Sequence, residues 1–260
     1  MDPSTGTYSS TVRSPTGIPA DPALASYGVR QAEQLGDHLI ALDPPADLIF
    51  SSPYYRCLQT LAPYTRKLAE RDGAEKVKIT LEPGLGEFYG TAEFEHPSPA
   101  GIEELNRHFD HLHAETDAIV VPSTRGESIT GLHDRVAYCL QELIRRTDAD
   151  PSGPKALLVC SHAAAIICAG RVLTGRMPDE VGEEDFQCFT CGVSKFVRRS
   201  SSSKSDSKAS TGGEAKKWEP QRPSDVPDVG WRDGVGVAGG WDCELNSDCS
   251  FLENGEERGW

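Results

Sequence analysis

Two apolar runs in this chain each stop at a polar pair and restart as a helix, and that repeated switch limits the fold more than any other feature. The first run, Asp47-Leu48-Ile49-Phe50, ends in Ser51-Ser52 and continues as Pro53-Tyr54-Tyr55-Arg56-Cys57-Leu58-Gln59-Thr60. The second, residues 156–160, ends in Ser161-His162 and runs into a nearly all-apolar segment to Leu173, with Gly175 beyond it as a natural helix end. Short apolar runs alternating with helical periodicity imply strands buried on both faces and joined by crossover helices. The pattern predicts an α/β protein, a mostly parallel sheet with helices on both faces. Ligands in such sheets sit beyond the carboxyl ends of strands. Arg56 and His162 both fall there, each near a helix start whose free N–H groups favour an anion. An Arg fork matches two phosphate oxygens, and a His can donate to a third or move a proton. Each residue also has a plainer reading, Arg56 as a surface helix arginine and His162 as a strand-end histidine satisfied by backbone.

Periodicity predicts the other elements. A helical stripe of Gly28, Ala32, Leu35, Leu39 and Leu42 predicts a helix over 26–42, capped by Ser26 and ended by Pro44-Pro45. The next helix is expected to open with Ser52 as N-cap and Pro53 as first residue, to run to Gly73, and to kink or break at Pro63. Residues 77–81 alternate as a strand. Residues 82–100 have no period and predict a long functional loop. A helix is expected over 102–113; its His108, His111 and His113 are spaced for a solvated face rather than a metal. Residues 128–146 predict a helix with Ile129, Leu132, Val136, Leu140 and Leu143 inward. Residues 186–197 are expected to form the last core strand.

The formal charge of -14 argues against direct nucleic-acid contact, which takes clustered Lys and Arg. No apolar run reaches the roughly 18 residues of a membrane span, and Met1-Asp2-Pro3 does not open a signal peptide, so no membrane partner and a cytoplasmic or nuclear location are expected. The eight cysteines then read as free thiols, with Cys160 and Cys168 as buried small hydrophobes. Cys188-Phe-Thr-Cys191 has zinc-like spacing, but on a strand its side chains would face opposite sides. Neither metal nor cofactor is expected. The composition divides the chain into a domain over 1–198, a disordered Ser/Lys-rich linker or insertion over 199–217, and an acidic tail over 218–260. The tail is too short for its own core and is expected to dock on the domain through Trp218, Trp231, Trp241 and Trp260.

Ser51-Ser52-Pro53-x-x-Arg56-x-x-Gln59-Thr60 resembles the second signature of the histidine phosphatase superfamily, the phosphoglycerate mutase-like fold, and Ser161-His162 resembles its Ser-His-Gly block. Asp21-Pro22-x-Leu24-x-x-x-Gly28-x-x-Gln31-Ala32 resembles its first helix. Gly86-Glu87-Phe88-Tyr89-Gly90 resembles the loop with the acid/base carboxylate, and Gly126-Glu127-Ser128 followed by Arg135 resembles another helix start. These blocks follow the family's order across residues 21–197. The resemblance implies metal-independent phosphomonoester hydrolysis. A histidine attacks phosphorus to form phosphohistidine, two arginines and a second histidine hold the oxygens, a carboxylic acid protonates the leaving group, and water releases phosphate. In those terms Arg56, His162 and Ser52 bind phosphate, and His162 and Glu87 are catalytic, Glu87 as proton donor.

The departures are as informative. No Arg-His-Gly, which carries the family's nucleophile on a central strand, occurs in these 260 residues; Val12-Arg13-Ser14 is the nearest stretch and lacks the histidine. Ala163 replaces a Gly, Ala25 replaces a Thr cap, and the Glu87 loop is tighter than the family's usual one. The resemblance implies that the first central strand is missing, that turnover belongs to a full-length form, and that the chain as written folds poorly through open strand edges. Two readings follow. One is a phosphatase acting on a phosphorylated small molecule or a phosphoprotein. The other is a non-catalytic assembly subunit. The short loop, the Ser/Lys-rich insertion and the Trp-rich tail resemble fungal proteins related to the histidine-phosphatase-like subunit of transcription factor IIIC, whose partners would be protein subunits of a transcription complex.

Overall fold

Parallel pairing of short apolar strands organises the computed structural model, which describes residues 2, 6–9, 13–114, 117–180, 183–200 and 216–259. Strands β1 (Leu48–Ser51), β2 (Ile79–Leu81), β3 (Leu112–Ala114) and β4 (Leu157–Cys160) form one sheet in the order β3-β2-β1-β4, with every pair parallel. Successive side chains on a strand point to opposite faces, and β1 divides the core accordingly. Ile49 packs with Leu35 and Leu39 of α1 (Ser26–Ile40) and with Leu58, Leu61 and Leu68 of α2 (Tyr55–Asp72). Leu48 and Phe50 pack on the other face, with Leu132, Val136 and Leu140 of α4 (Ile129–Asp148) and Val172 of α5 (Ala163–Thr174). This is the α/β class that the alternating pattern predicts.

Local chemistry sets several boundaries. Ser128 caps α4, its Oγ accepting from Gly131 N at 3.0 Å. Gly175 ends α5 at φ 74, a left-handed conformation that glycine adopts without a Cβ clash. Pro63 does not break α2, which runs unbroken from Tyr55 to Asp72. Pro63 is buried where α1 passes close: a Cβ on Gly36 would stand 3.0 Å from both Pro63 Cβ and Tyr64 N. Close packing of the two helices there offsets the missing N–H bond.

Elsewhere tertiary pairing overrides the local signal. Ala25, not Ser26, is the N-cap of α1, and no side chain caps it. Tyr54 is the N-cap of α2, so Ser52 and Pro53 precede the helix. Ile129 is 66% exposed at the start of α4 rather than inward. The expected helix over 102–113 is a single turn, α3 (Ile102–Leu105); the chain then reverses at His111 (φ 66) and enters β3, where His113 pairs with Thr80. Hydrogen bonding to β2, beginning with Ile79 N to His111 O at 2.9 Å, replaces the helical bonds. The stretch 186–197 is not a core-sheet strand. Its second half lies in β5 (Val193–Arg198), which pairs antiparallel with β6 (Trp241–Asp248) in a separate two-stranded sheet. Cys188 and Cys191 lie ahead of β5, with Cys191 in a turn at φ 60. Among the described residues, no His, Cys, Asp and Glu group has the arrangement of a metal site, and no helix is long and apolar enough to cross a membrane.

The chain after residue 216 returns to the main core. Trp231 is fully buried, stacked on His133 with ring planes 8° apart, and Arg232 lies over its ring and bonds Asp134. Trp218 N donates to Tyr138 Oη, and Trp241 Nε1 donates to Val237 O. The linker stretch 201–215 and Trp260 lie outside the described residues, as does Val12. Among those described, β4 pairs with β1 alone, and all of its residues are only half-buried. Truncating Trp231 to Ala in the intact chain is expected to cost about 3–5 kcal/mol of stability, read from the urea midpoint. The exposed control Val235→Ala should stay within about 0.5 kcal/mol. An unshifted midpoint for Trp231→Ala would mean that the tail is not part of the cooperative unit.

Candidate functional site

Two strand ends and two helix starts meet at one point. Ser52 N donates to Cys160 O at 2.9 Å, carrying the β1–β4 pairing one residue past the end of β1. That contact sets Ser52 Oγ 2.8 Å from His162 Nε2, with both residues buried. This use of the Ser52 hydroxyl explains why it does not cap α2. His162 is the N-cap residue of α5, in extended conformation. The Tyr54 ring meets the imidazole edge-on, with centroids 5.2 Å apart, and the Arg56 guanidinium carbon lies 4.7 Å from its centre.

Arg56, in the first turn of α2, is held by two carboxylates. Its Nη1 is 3.1 Å from Asp21 Oδ1 and its Nη2 is 2.9 Å from Glu87 Oε2. Asp21 is fully buried and its Oδ2 accepts from Tyr55 N at 2.8 Å. One side chain therefore caps a free N–H of α2 from outside the helix and orients the arginine beside it. Glu87 Oε2 also lies 3.2 Å from His162 Nδ1. Arg56 and His162 thus aim at one point, and Glu87 Oε2 occupies it.

Buried polar groups fix the loop that carries Glu87. Arg135 is 1% exposed; its Nη1 donates to Gly84 O at 2.7 Å and Gly86 O at 3.2 Å, while Nε donates to Glu127 at 3.0 Å. Glu82 is buried and accepts from Gly84 N, Ile119 N and Val120 N. Ser161 Oγ donates to Leu85 O at 2.6 Å, tying the loop to the end of β4.

The charges are strongly coupled. Burial works against a charged His162, but the Cys57 sulfur and the Glu87 carboxylate prevail and raise its pKa to about 9. Burial works against ionising Glu87, yet His162 and Arg56 lower its pKa to about 2. Burial raises the pKa of Asp21, against the pull of the Tyr55 N–H and Arg56. At neutral pH the centre is therefore an imidazolium and a guanidinium sharing a carboxylate.

The structure brings together all four residues singled out from sequence, Ser52, Arg56, Glu87 and His162. It adds residues to which the sequence assigned no role: Asp21, Glu82, Cys57, and the Glu127–Arg135 pair. Asp21, Glu127 and Arg135 stand inside the family-like blocks, but nothing in those blocks says that Asp21 reaches α2 or that Arg135 reaches the Glu87 loop.

Fold and site together define an α/β protein with a partly buried ion cluster at the carboxyl edge of a parallel sheet, one cation from each strand-to-helix switch. The chain belongs to the histidine phosphatase superfamily (branch 1), whose family model matches residues 7–208. It is 30% identical over 187 residues to the transcription factor tau 55 kDa subunit of Saccharomyces cerevisiae, covering 70% of this chain and 41% of that protein. It is 28% identical over 180 residues to the ecdysteroid-phosphate phosphatase of Drosophila melanogaster, covering 65% of this chain and 22% of that one. The fold matches the crystal structure of the ecdysone phosphate phosphatase from Bombix mori in complex with tungstate, with TM-score 0.52 and 18% identity over 70% of this chain and 72% of that one. The chain spans less than half the length of these two curated relatives.

The coupled charges make the site visible in solution. One histidine is expected to titrate by NMR near 9 rather than at its ordinary 6.5, and Glu87→Gln should move that midpoint downward. His162 has a raised folded pKa, so its contribution to stability is complete below 6.5 and lost as pH rises through about 9. Glu87 has a depressed one, so its contribution is complete above 4.5 and lost as pH falls toward about 2. Urea midpoints should therefore show both contributions complete between 4.5 and 6.5. An unshifted histidine would exclude this ion cluster.

Proposed function

We propose that the chain binds the phosphoryl group of a phosphorylated small molecule or phosphoprotein, through Arg56, His162 and Ser52. The observation that carries this reading is the convergence of Arg56 Nη2 and His162 Nδ1 on a single acceptor oxygen, at 2.9 and 3.2 Å. A phosphoryl oxygen can replace Glu87 Oε2 at that point, with the N-terminus of α5 adding its dipole. The pocket needs no imported cation, because two protonated side chains supply the charge. Displaced from both cations, Glu87 loses what holds its pKa at about 2, while burial continues to raise it. Binding would then turn an ionised carboxylate into a proton donor for the leaving group, the role that the family resemblance implies.

Phosphohistidine chemistry needs a second histidine facing phosphorus, and this pocket does not supply one. His133 bonds Ile129 O, His96 bonds Tyr8 and Gly90 O, His108 faces Glu104, and His38 stacks on Phe251. His111 and His113 flank and form β3. With no Arg-His-Gly in residues 1–260, phosphomonoester hydrolysis is assigned to a form of the protein that carries one, and anion binding alone to this chain.

A second reading is an assembly subunit of the RNA polymerase III transcription apparatus, acting among protein subunits in the nucleus without touching nucleic acid itself. Two observations favour it: the 30% identity to the transcription factor tau subunit and the missing Arg-His-Gly. Titration calorimetry with inorganic phosphate separates the two. The phosphate reading expects binding that Arg56→Ala weakens about tenfold to a hundredfold, the loss of one charge-assisted contact of about 1.5–3 kcal/mol. It expects no turnover of p-nitrophenyl phosphate by this chain. Phosphate binding untouched by Arg56→Ala would overturn the pocket. Retention by transcription factor IIIC subunits that is indifferent to Arg56→Ala would support the assembly role.

A further inference from the structure

Beside the Arg56–Glu87–His162 cluster, α2 and β4 bring two thiols near one another, and the proposed phosphate binding gives neither a role. Cys57 stands in the first turn of α2, next to Arg56; Cys160 is the last residue of β4. Cys160 Sγ lies 3.6 Å from Cys57 O, and Cys57 Sγ lies 3.6 Å from the carbonyl oxygen of Ser161, the residue after Cys160, so each side chain crosses to the other's segment. On its other side Cys57 Sγ is 3.6 Å from His162 Nε2. An imidazole therefore touches the Cys57 sulfur, which stands in the first turn of α2 beside Arg56, and each of these features favours the thiolate. The Cys160 hydrogen bond first, then His162 and Arg56, lower the Cys57 pKa well below the ordinary thiol value against the effect of burial. Burial pushes Cys139, Cys168, Cys188, Cys191, Cys243 and Cys249 the opposite way.

We propose that Cys57 and Cys160 form a redox-active dithiol that hydrogen peroxide closes to a disulfide, and that closure weakens the anion pocket; the second half rests on the phosphate reading above. The Cys57 thiolate attacks one peroxide oxygen, the O–O bond breaks, and the departing hydroxide takes a proton from His162 to leave as water. The Cys160 sulfur then attacks the Cys57 sulfenic acid. The S–S bond forms, the S–O bond breaks, and the hydroxyl leaves with the Cys160 proton as a second water. Two thiols are oxidised and one peroxide is reduced to two waters. Cys57 is buried and Cys160 half-buried, and the Glu87 side chain against His162 is 28% exposed, which suits a small oxidant, peroxide, rather than a bulky one. Closure removes the anionic sulfur that supports the His162 imidazolium, so the pocket loses positive charge where a phosphoryl oxygen would bind.

Peptide mapping of the intact wild-type chain after peroxide treatment tests the first half without any variant. The expected result is loss of two of the eight thiols, a Cys57–Cys160 cross-linked peptide, and recovery of both thiols with dithiothreitol. Cys160→Ser is expected to stop at a sulfenic acid on Cys57 that dimedone traps. A cross-link to any other cysteine, or a reduced Cys57 when other cysteines are oxidised, would overturn the dithiol. Calorimetry with inorganic phosphate on the reduced and oxidised chain tests the second half, with about tenfold weaker binding expected after oxidation. Equal binding by both forms refutes the coupling alone. No binding by the reduced chain refutes the phosphate reading, and the mapped disulfide stands or falls separately.

Discussion

The hydrogen bond from Ser52 N to Cys160 O continues the parallel pairing of β1 and β4 past the end of β1, and the whole pocket depends on that continuation. Parallel strands place both carboxyl ends on one edge, so the helices that follow start side by side. Arg56 and His162 come from those two starts. Neither strand alone makes a site. The register Ser51↔Cys160 makes one, because a slip by one residue would turn His162 away from Ser52 and Arg56.

Placing two cations this close is costly unless an anion lies between them. Glu87 meets that need, and Asp21 supports Arg56 from behind. The cluster is thus electrostatically closed on its own carboxylate, and a phosphoryl group would enter by exchange rather than into free space. Exchange favours a ligand with more negative charge and more acceptor oxygens than a single carboxylate, which a phosphate dianion has.

The loop carrying Glu87 is tied down for a related reason. Glu82, Glu127 and Arg135 are charged groups taken from water, and such burial destabilises unless nearly every hydrogen-bonding position is used. Here they are used on backbone: Glu82 accepts three N–H groups, and Arg135 serves two carbonyls of the loop as well as Glu127. Removing Glu127 or Arg135 would leave a buried charge unmatched, and removing Glu82 would leave three backbone N–H groups without their acceptor. The stretch after the short 3-10 turn at Pro83–Leu85 can therefore hold the Glu87 carboxylate between Arg56 and His162.

Interactions between near neighbours in the chain were legible from the amino-acid order alone. The apolar runs of β1, β2 and β4, the stripes of α1 and α4, the Ser128 cap and the Gly175 stop all depend on residues within a turn or two of one another. The family-like blocks around Arg56, Glu87 and His162 were legible for the same reason. Tertiary structure decided what depends on distant partners. The apparent helix at 102–113 yields to β3 because β2 offers it a sheet edge. Ser52 leaves its cap for an imidazole, and Pro63 is tolerated because Gly36 packs against it. The tryptophans of the tail pointed to docking on the domain, but where Trp231 is buried and that β6 pairs with β5 depend on distant partners. Asp21, Arg135, Cys57 and Cys160 take their chemistry from neighbours contributed by other elements, and burial and charge act through space rather than along the chain.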